Sequence, residues 1–71
     1  MSFTGIIKVN GLVRALLTNE QFSGSLVPGD LGGKDTNLIP NGWLVKDIDD
    51  KKEELILSYQ DQNITLELQK L

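Results

Sequence analysis

The chain has 71 residues, 39% of them apolar, with no histidine and no cysteine. Imidazole bases, thiolate nucleophiles and His/Cys metal ligands are therefore excluded, and no disulfide can staple the fold. Ten acids against seven bases give a formal charge of −3, which speaks against non-specific binding to nucleic acid or to an anionic membrane surface.

Met1 to Gly5 lacks the basic start and apolar run of a signal peptide. No segment approaches the roughly 18–20 apolar residues of a membrane span. The expectation is a soluble cytoplasmic protein made of a single domain, residues 1–71.

Gly5-Ile6-Ile7-Lys8-Val9 has the composition of a strand, and Asn10-Gly11 is the favoured pair for a type I′ hairpin turn. Leu12 to Thr18 is then the returning strand. Neither face of this hairpin is cleanly apolar, because strict alternation puts Lys8 and Arg14 on opposite sides. A rival reading fits the same residues. Leu12, Val13, Leu16 and Leu17 also share one side of a helix over residues 12–22, with Asn10 near its cap and Gly24 beyond its end. The hairpin is the preferred reading.

Residues 23–42 hold both prolines and five of the seven glycines. Leu26-Val27 reads as a short edge strand, Pro28-Gly29 as the centre of a type II turn, and Pro40-Asn41-Gly42 as a second turn before Trp43. Leu31, Leu38 and Ile39 are expected to pin this long loop to the core. So long a connection in so small a domain is more often functional than average.

Trp43 to Ile48 reads as a strand, followed by the charged connection Asp49-Asp50-Lys51-Lys52-Glu53. Leu55, Leu57 and Tyr59 then alternate with Ile56, Ser58 and Gln60, and Ile64, Leu66 and Leu68 alternate with Thr65, Glu67 and Gln69. That is the period-two signature of strands with one buried face. A turn over Gln60 to Asn63 would pair Tyr59 with Ile64, Leu57 with Leu66 and Leu55 with Leu68. Pairing Trp43 with Tyr59 and Val45 with Leu57 completes a three-stranded meander over residues 43–70. In that register Leu44, Ile48 and Ile56 point away from the inner face, and Lys46, Ile56 and Glu67 share one outer row.

The motifs that would carry chemistry are weak. Asp47, Asp49, Asp50, Glu53 and Glu54 could supply paired carboxylates, but all sit beside a lysine-bearing turn and read more simply as a solvated connection. Asp47-x-Asp49-Asp50 resembles the start of a calcium loop, yet Lys52 stands where the turn glycine belongs and Ser58 where the bidentate Glu belongs. Gly32-Gly33-Lys34-Asp35-Thr36 has the composition of an anion loop. It lacks the Gly five residues before Gly33 and the Ser or Thr after Lys34 that a phosphate-binding P-loop needs. Asn63-Ile64-Thr65 matches a glycosylation sequon, which matters only in a secreted chain. Of the aromatics, Trp43 and Tyr59 fall on the inner face, so core packing is their simpler role. The sharper one makes Trp43, at the mouth of the loop, an interface anchor.

The fold expected is all-β: a small antiparallel barrel or sandwich of five to six strands, of SH3-like or OB-like size, ending in the C-terminal meander. The alternative is α+β with the helix near residues 12–22. An open sheet apolar on both sides needs cover, from the N-terminal segment or from another protein. The expected function is a small acidic protein-interaction module, an accessory or regulatory subunit without catalysis, cofactor or metal of its own. Its expected interface is Trp43, Leu44, Ile56, Leu31 and Lys34. The alternative is a ligand-binding barrel for an oligonucleotide or small molecule, with the 23–42 loop at its mouth. Self-association through a sheet edge is a further option.

Overall fold

Turn chemistry sets the first hairpin. In a computed structural model that describes residues 2–69, Ser2–Val9 (β1) and Leu12–Thr18 (β2) pair antiparallel across Asn10 and Gly11, whose φ angles are 53° and 81°. Two consecutive positive φ values define the type I′ turn, whose twist matches that of the flanking strands. On its other side β2 pairs with Ser23–Leu26 (β3), giving a three-stranded sheet in the order β1-β2-β3. The helix over residues 12–22 does not form. As a strand between two neighbours, β2 satisfies its backbone on both edges and buries Ala15 and Leu17 completely or nearly so. The edge strand ends at Leu26 and does not include Val27.

An irregularity repairs the faces of this hairpin. The β1–β2 register shifts between Phe3 and Gly5, leaving Thr4 as an extra residue. Such a bulge reverses the parity of everything before it. Phe3 opposite Leu17 and Ile6 opposite Ala15 therefore share the inner face.

The second sheet has the order β4-β5-β6, formed by Leu44–Asp49 (β4), Glu54–Tyr59 (β5) and Gln62–Glu67 (β6). Residue 70, the end of the expected meander, lies outside the described residues. Val45 pairs with Leu57 as expected, but the register then shifts between Val45 and Asp47, with Lys46 as the extra residue. Ile48 is thereby turned inward, opposite Leu55, and is buried. The outer row is Asp47, Ile56 and Thr65 in place of Lys46, Ile56 and Glu67. The last hairpin also differs. Leu57 pairs with Ile64 and Leu55 with Leu66, two residues from the expected register. The turn contains only Gln60 and Asp61, at φ 48° and 64°. A two-residue shift leaves every side chain on its expected face.

The sheets share one core: Phe3, Ala15, Leu17 and Leu26 from the first, Val45, Ile48, Leu55 and Leu57 from the second, and Leu38 and Ile39 from the connection. They remain two sheets and do not close into a barrel. Backbone bonds tie the connection to β4 and the segment after β6 to β1. Gly29 N donates to Val45 O at 2.8 Å and Val45 N to Asp30 O at 2.9 Å, and Gln69 N donates to Phe3 O at 2.9 Å. All regular structure among the described residues is strand, and no helix is long and apolar enough to cross a membrane.

Candidate functional site

The long connection is an ordered set of turns. Asp30 N donates to Val27 O at 3.2 Å across Pro28-Gly29, with Gly29 at φ 97°, which is the type II geometry the dipeptide prefers. The Asp30 carboxylate closes the same turn by accepting from Val27 N at 3.1 Å. Trp43 N donates to Pro40 O at 3.1 Å, closing the second expected turn with Gly42 at φ 85°. Leu38 and Ile39 are buried, and Leu31 is half-buried.

The glycine-rich stretch inside this connection has a structural explanation. Leu31 N donates to the Asp35 carboxylate at 3.0 Å, and Gly32 N donates to Trp43 O at 2.7 Å. Gly33 N donates to Thr36 O at 2.8 Å, while Lys34 N and Asp35 N both donate to Leu31 O. Five successive amides are thus consumed internally, with a carboxylate already seated where an anion would go. The glycines are required by close approach. A Cβ on Gly32 would collide with the carbonyl oxygen of Pro40, and one on Gly33, at φ 87°, with the Asn41 side chain. Turn 31–36 is packed backbone to backbone on turn 39–42.

The acidic connection is organised in the same way. The Asp49 carboxylate accepts from Lys51 N and Lys52 N, each at 3.0 Å, shaping the β4–β5 turn. Asp50 meets Lys8 at 3.8 Å across the two sheets, in a half-exposed pair worth at most about 1 kcal/mol. No group of three or more carboxylates is arranged to hold a metal among the described residues.

Of the five expected interface residues, three come together. Leu31 and Leu44 form an antiparallel β-bridge. It is flanked by Gly32 N to Trp43 O on one side and Val45 N to Asp30 O on the other. That pattern makes Leu31–Leu44 a non-hydrogen-bonded pair, the kind whose side chains lie closest. Leu44 also sits opposite Ser58, and Ile56 lies two residues along β5 on the same outer face. Leu44 is 38% exposed and Ile56 is half-buried. Polar groups border them: Asp47 and Thr65 flank Ile56, and Lys46 Nζ donates to Asn63 Oδ1 at 3.3 Å.

Trp43 belongs elsewhere. It is half-buried, packs against the core and stacks on Tyr59 with ring centroids 5.6 Å apart and 24° between planes. Lys34 is exposed at the tip of turn 31–36, three residues beyond Leu31.

Sequence reasoning passed over a second exposed apolar surface. Ile7, Val9 and Leu12 are 42%, 57% and 45% exposed on the outer side of the first hairpin. Val9 sits opposite Leu12, and Ile7 opposite Arg14. The strands of this sheet carry Lys8 and Arg14 and no acid, although the whole chain is acidic. The signal was present as Ile7-x-Val9 and Leu12-x-Arg14 alternation, but without the Thr4 bulge the inner and outer faces could not be told apart.

Comparisons of the chain with protein-family models, with curated proteins and with solved structures return no match.

Proposed function

We propose that this chain is a small protein-interaction module, an accessory or regulatory subunit that acts by contact and performs no bond-breaking chemistry of its own. One observation carries the reading. The Leu31–Leu44 bridge and Ile56 set an apolar strip on the open face of the second sheet, bordered by Asp47, Thr65 and the Lys46–Asn63 pair. An apolar centre with a polar border is the usual anatomy of a protein contact. Lys34, exposed on the turn that begins at Leu31, is not brought onto this strip. Trp43 serves it from beneath, holding the strand that carries Leu44 against Tyr59.

The test is capture of partners from native cell extract with the wild-type chain and with Leu44→Lys and Ile56→Thr, each checked for an unchanged far-UV spectrum. Recovery of the same specific partners should fall sharply with both variants. Equal recovery from all three proteins refutes the assignment. For the ligand-binding alternative, the amides of residues 31–35 are already bonded, which counts against a backbone anion cradle in that turn. Titration with single-stranded DNA, RNA and common metabolites should therefore give no saturable amide shifts confined to 31–36.

A further inference from the structure

The four edge strands are not protected alike. Edge strands invite pairing with another chain unless a bulge, a lysine, a proline or shortness blunts them. β1 carries the Thr4 bulge and Lys8, and its start is bonded to Gln69. β3 is four residues long and is followed by Pro28. β4 carries the Lys46 bulge, and its outer edge is taken by residues 29–32. β6 has none of these devices. Gln62–Glu67 pairs with β5 in unbroken register and contains no lysine, proline or glycine.

The outward groups of β6 can be assigned. Leu68 N donates to Glu53 O at 2.9 Å, on the β5 side, and Gln69 N donates to Phe3 O, on the other side. Alternation along an antiparallel strand then directs the N–H and C=O of Asn63, Thr65 and Glu67 away from β5. Among the described residues no backbone partner meets these three.

We propose that β6 pairs with β6 of a second copy of this chain, antiparallel about a two-fold axis at Thr65. This self-association stands independently of the partner-binding face proposed above. In this register Thr65 exchanges two hydrogen bonds with the second copy's Thr65, and Asn63 exchanges two with its Glu67 at each end. The three outward residues of each strand are all used, and the pairing stops short of Gln69, which is already bonded. The side chains agree with the backbone. Threonine faces threonine, a favourable cross-strand pair. Asn63 accepts from Lys46 through its oxygen, so its NH2 is free to donate to the second copy's Glu67 carboxylate. The half-buried Ile64 and Leu66 face one another as non-hydrogen-bonded neighbours. No like charges stand directly opposite. The outcome is a continuous sheet, β4-β5-β6-β6-β5-β4, with two copies of the Leu44/Ile56 strip on one face.

Sedimentation equilibrium of the full chain at concentrations up to about 0.5 mM should show a monomer–dimer equilibrium. That range detects even weak pairing. Asn63→Asp keeps the size and the Lys46 contact but sets two Asp–Glu pairs across the axis. It should weaken the dimer about tenfold, consistent with two unfavourable cross-strand pairs, with an unchanged thermal melt of the monomer. Asn63→Asp combined with Glu67→Lys turns both pairs into opposite charges and should restore the dimer. Thr65→Pro, which removes an N–H that β5 does not use, should give a folded monomer. A wild-type chain that stays monomeric throughout overturns the proposal. So does a dimer indifferent to Asn63→Asp, or one that the charge-swapped double variant fails to recover.

Discussion

The two two-residue hairpins solve the same problem with opposite resources. The β1–β2 hairpin has the ideal turn, Asn10-Gly11, but faces that alternation alone does not sort, so Thr4 must bulge before Phe3 joins the core. The β5–β6 hairpin has cleanly sorted faces and a turn of Gln60-Asp61, two residues that enter the left-handed region at a cost. In the first, turn chemistry dictates register and packing accommodates it. In the second, burial of Leu55, Leu57, Ile64 and Leu66 dictates register and the turn absorbs the strain. Either source of information is sufficient when the other is poor.

Removing the packing should break the second hairpin most severely. Leu57 is fully buried against both sheets. Leu57→Ala should cost about 3 kcal/mol, within the range for large-to-small core substitutions. A domain of this size has only about 3–5 kcal/mol to lose. The variant should therefore keep only about 0–2 kcal/mol of stability, and a urea melt should show a midpoint far below that of wild type with a measurable unfolded fraction at 25 °C before any urea is added.

Exchanging the turns should sharpen the contrast. Replacing Gln60-Asp61 by Asn-Gly should raise stability by about 0.5–1 kcal/mol, because it relieves backbone strain without touching the core. Replacing Asn10-Gly11 by Gln-Asp should lower it by about 1 kcal/mol or more, since register there rests on the turn. Urea midpoints at constant m-value would check both. Equal losses and gains would mean that the two hairpins depend on their turns alike.

Exposed positions of the first hairpin should respond least. Leu12→Ala should change stability by less than about 0.5 kcal/mol, as surface substitutions usually do, despite Leu12 being as apolar as Leu57. Lys8→Ala should also cost under about 1 kcal/mol, because its pair with Asp50 is half-exposed. A thermal melt of each variant against wild type suffices. A larger loss at Leu12 would show that the outer face of the first sheet is covered in solution.

What could be read from the chain follows the same division. The inner residues Val45, Leu55, Leu57, Ile64 and Leu66 were legible because period-two alternation names a face directly. The register of β5 on β6 was not legible, because a slip of two residues preserves every face. A four-residue polar turn also looked better than a two-residue turn without glycine. Ile48 was misplaced outward because the Lys46 bulge leaves no mark in the alternation. The candidate interface was half legible. Leu44 and Ile56 follow from strand parity, whereas their contact with Leu31 depends on a bridge between residues 13 apart. Trp43 lies just before β4 and is not part of its ladder with β5, but its ring stacks on Tyr59 as the expected pairing implied, and that stacking keeps it from being an open anchor.

The amino-acid order alone determined the Asn10-Gly11, Pro28-Gly29 and Asn41-Gly42 turns and the apolar face of the C-terminal meander, and it favoured an all-β chain over one with a helix near residues 12–22. Each depends on local backbone preference or on a two-residue period, and both are written within a few neighbouring positions. Only the tertiary structure decided the bulges at Thr4 and Lys46, the two-residue hairpin at Gln60-Asp61, and the backbone-to-backbone seating of Gly32 on Pro40. These are settled by how two sheets must meet to exclude water from one core, a condition that no short stretch of the chain contains.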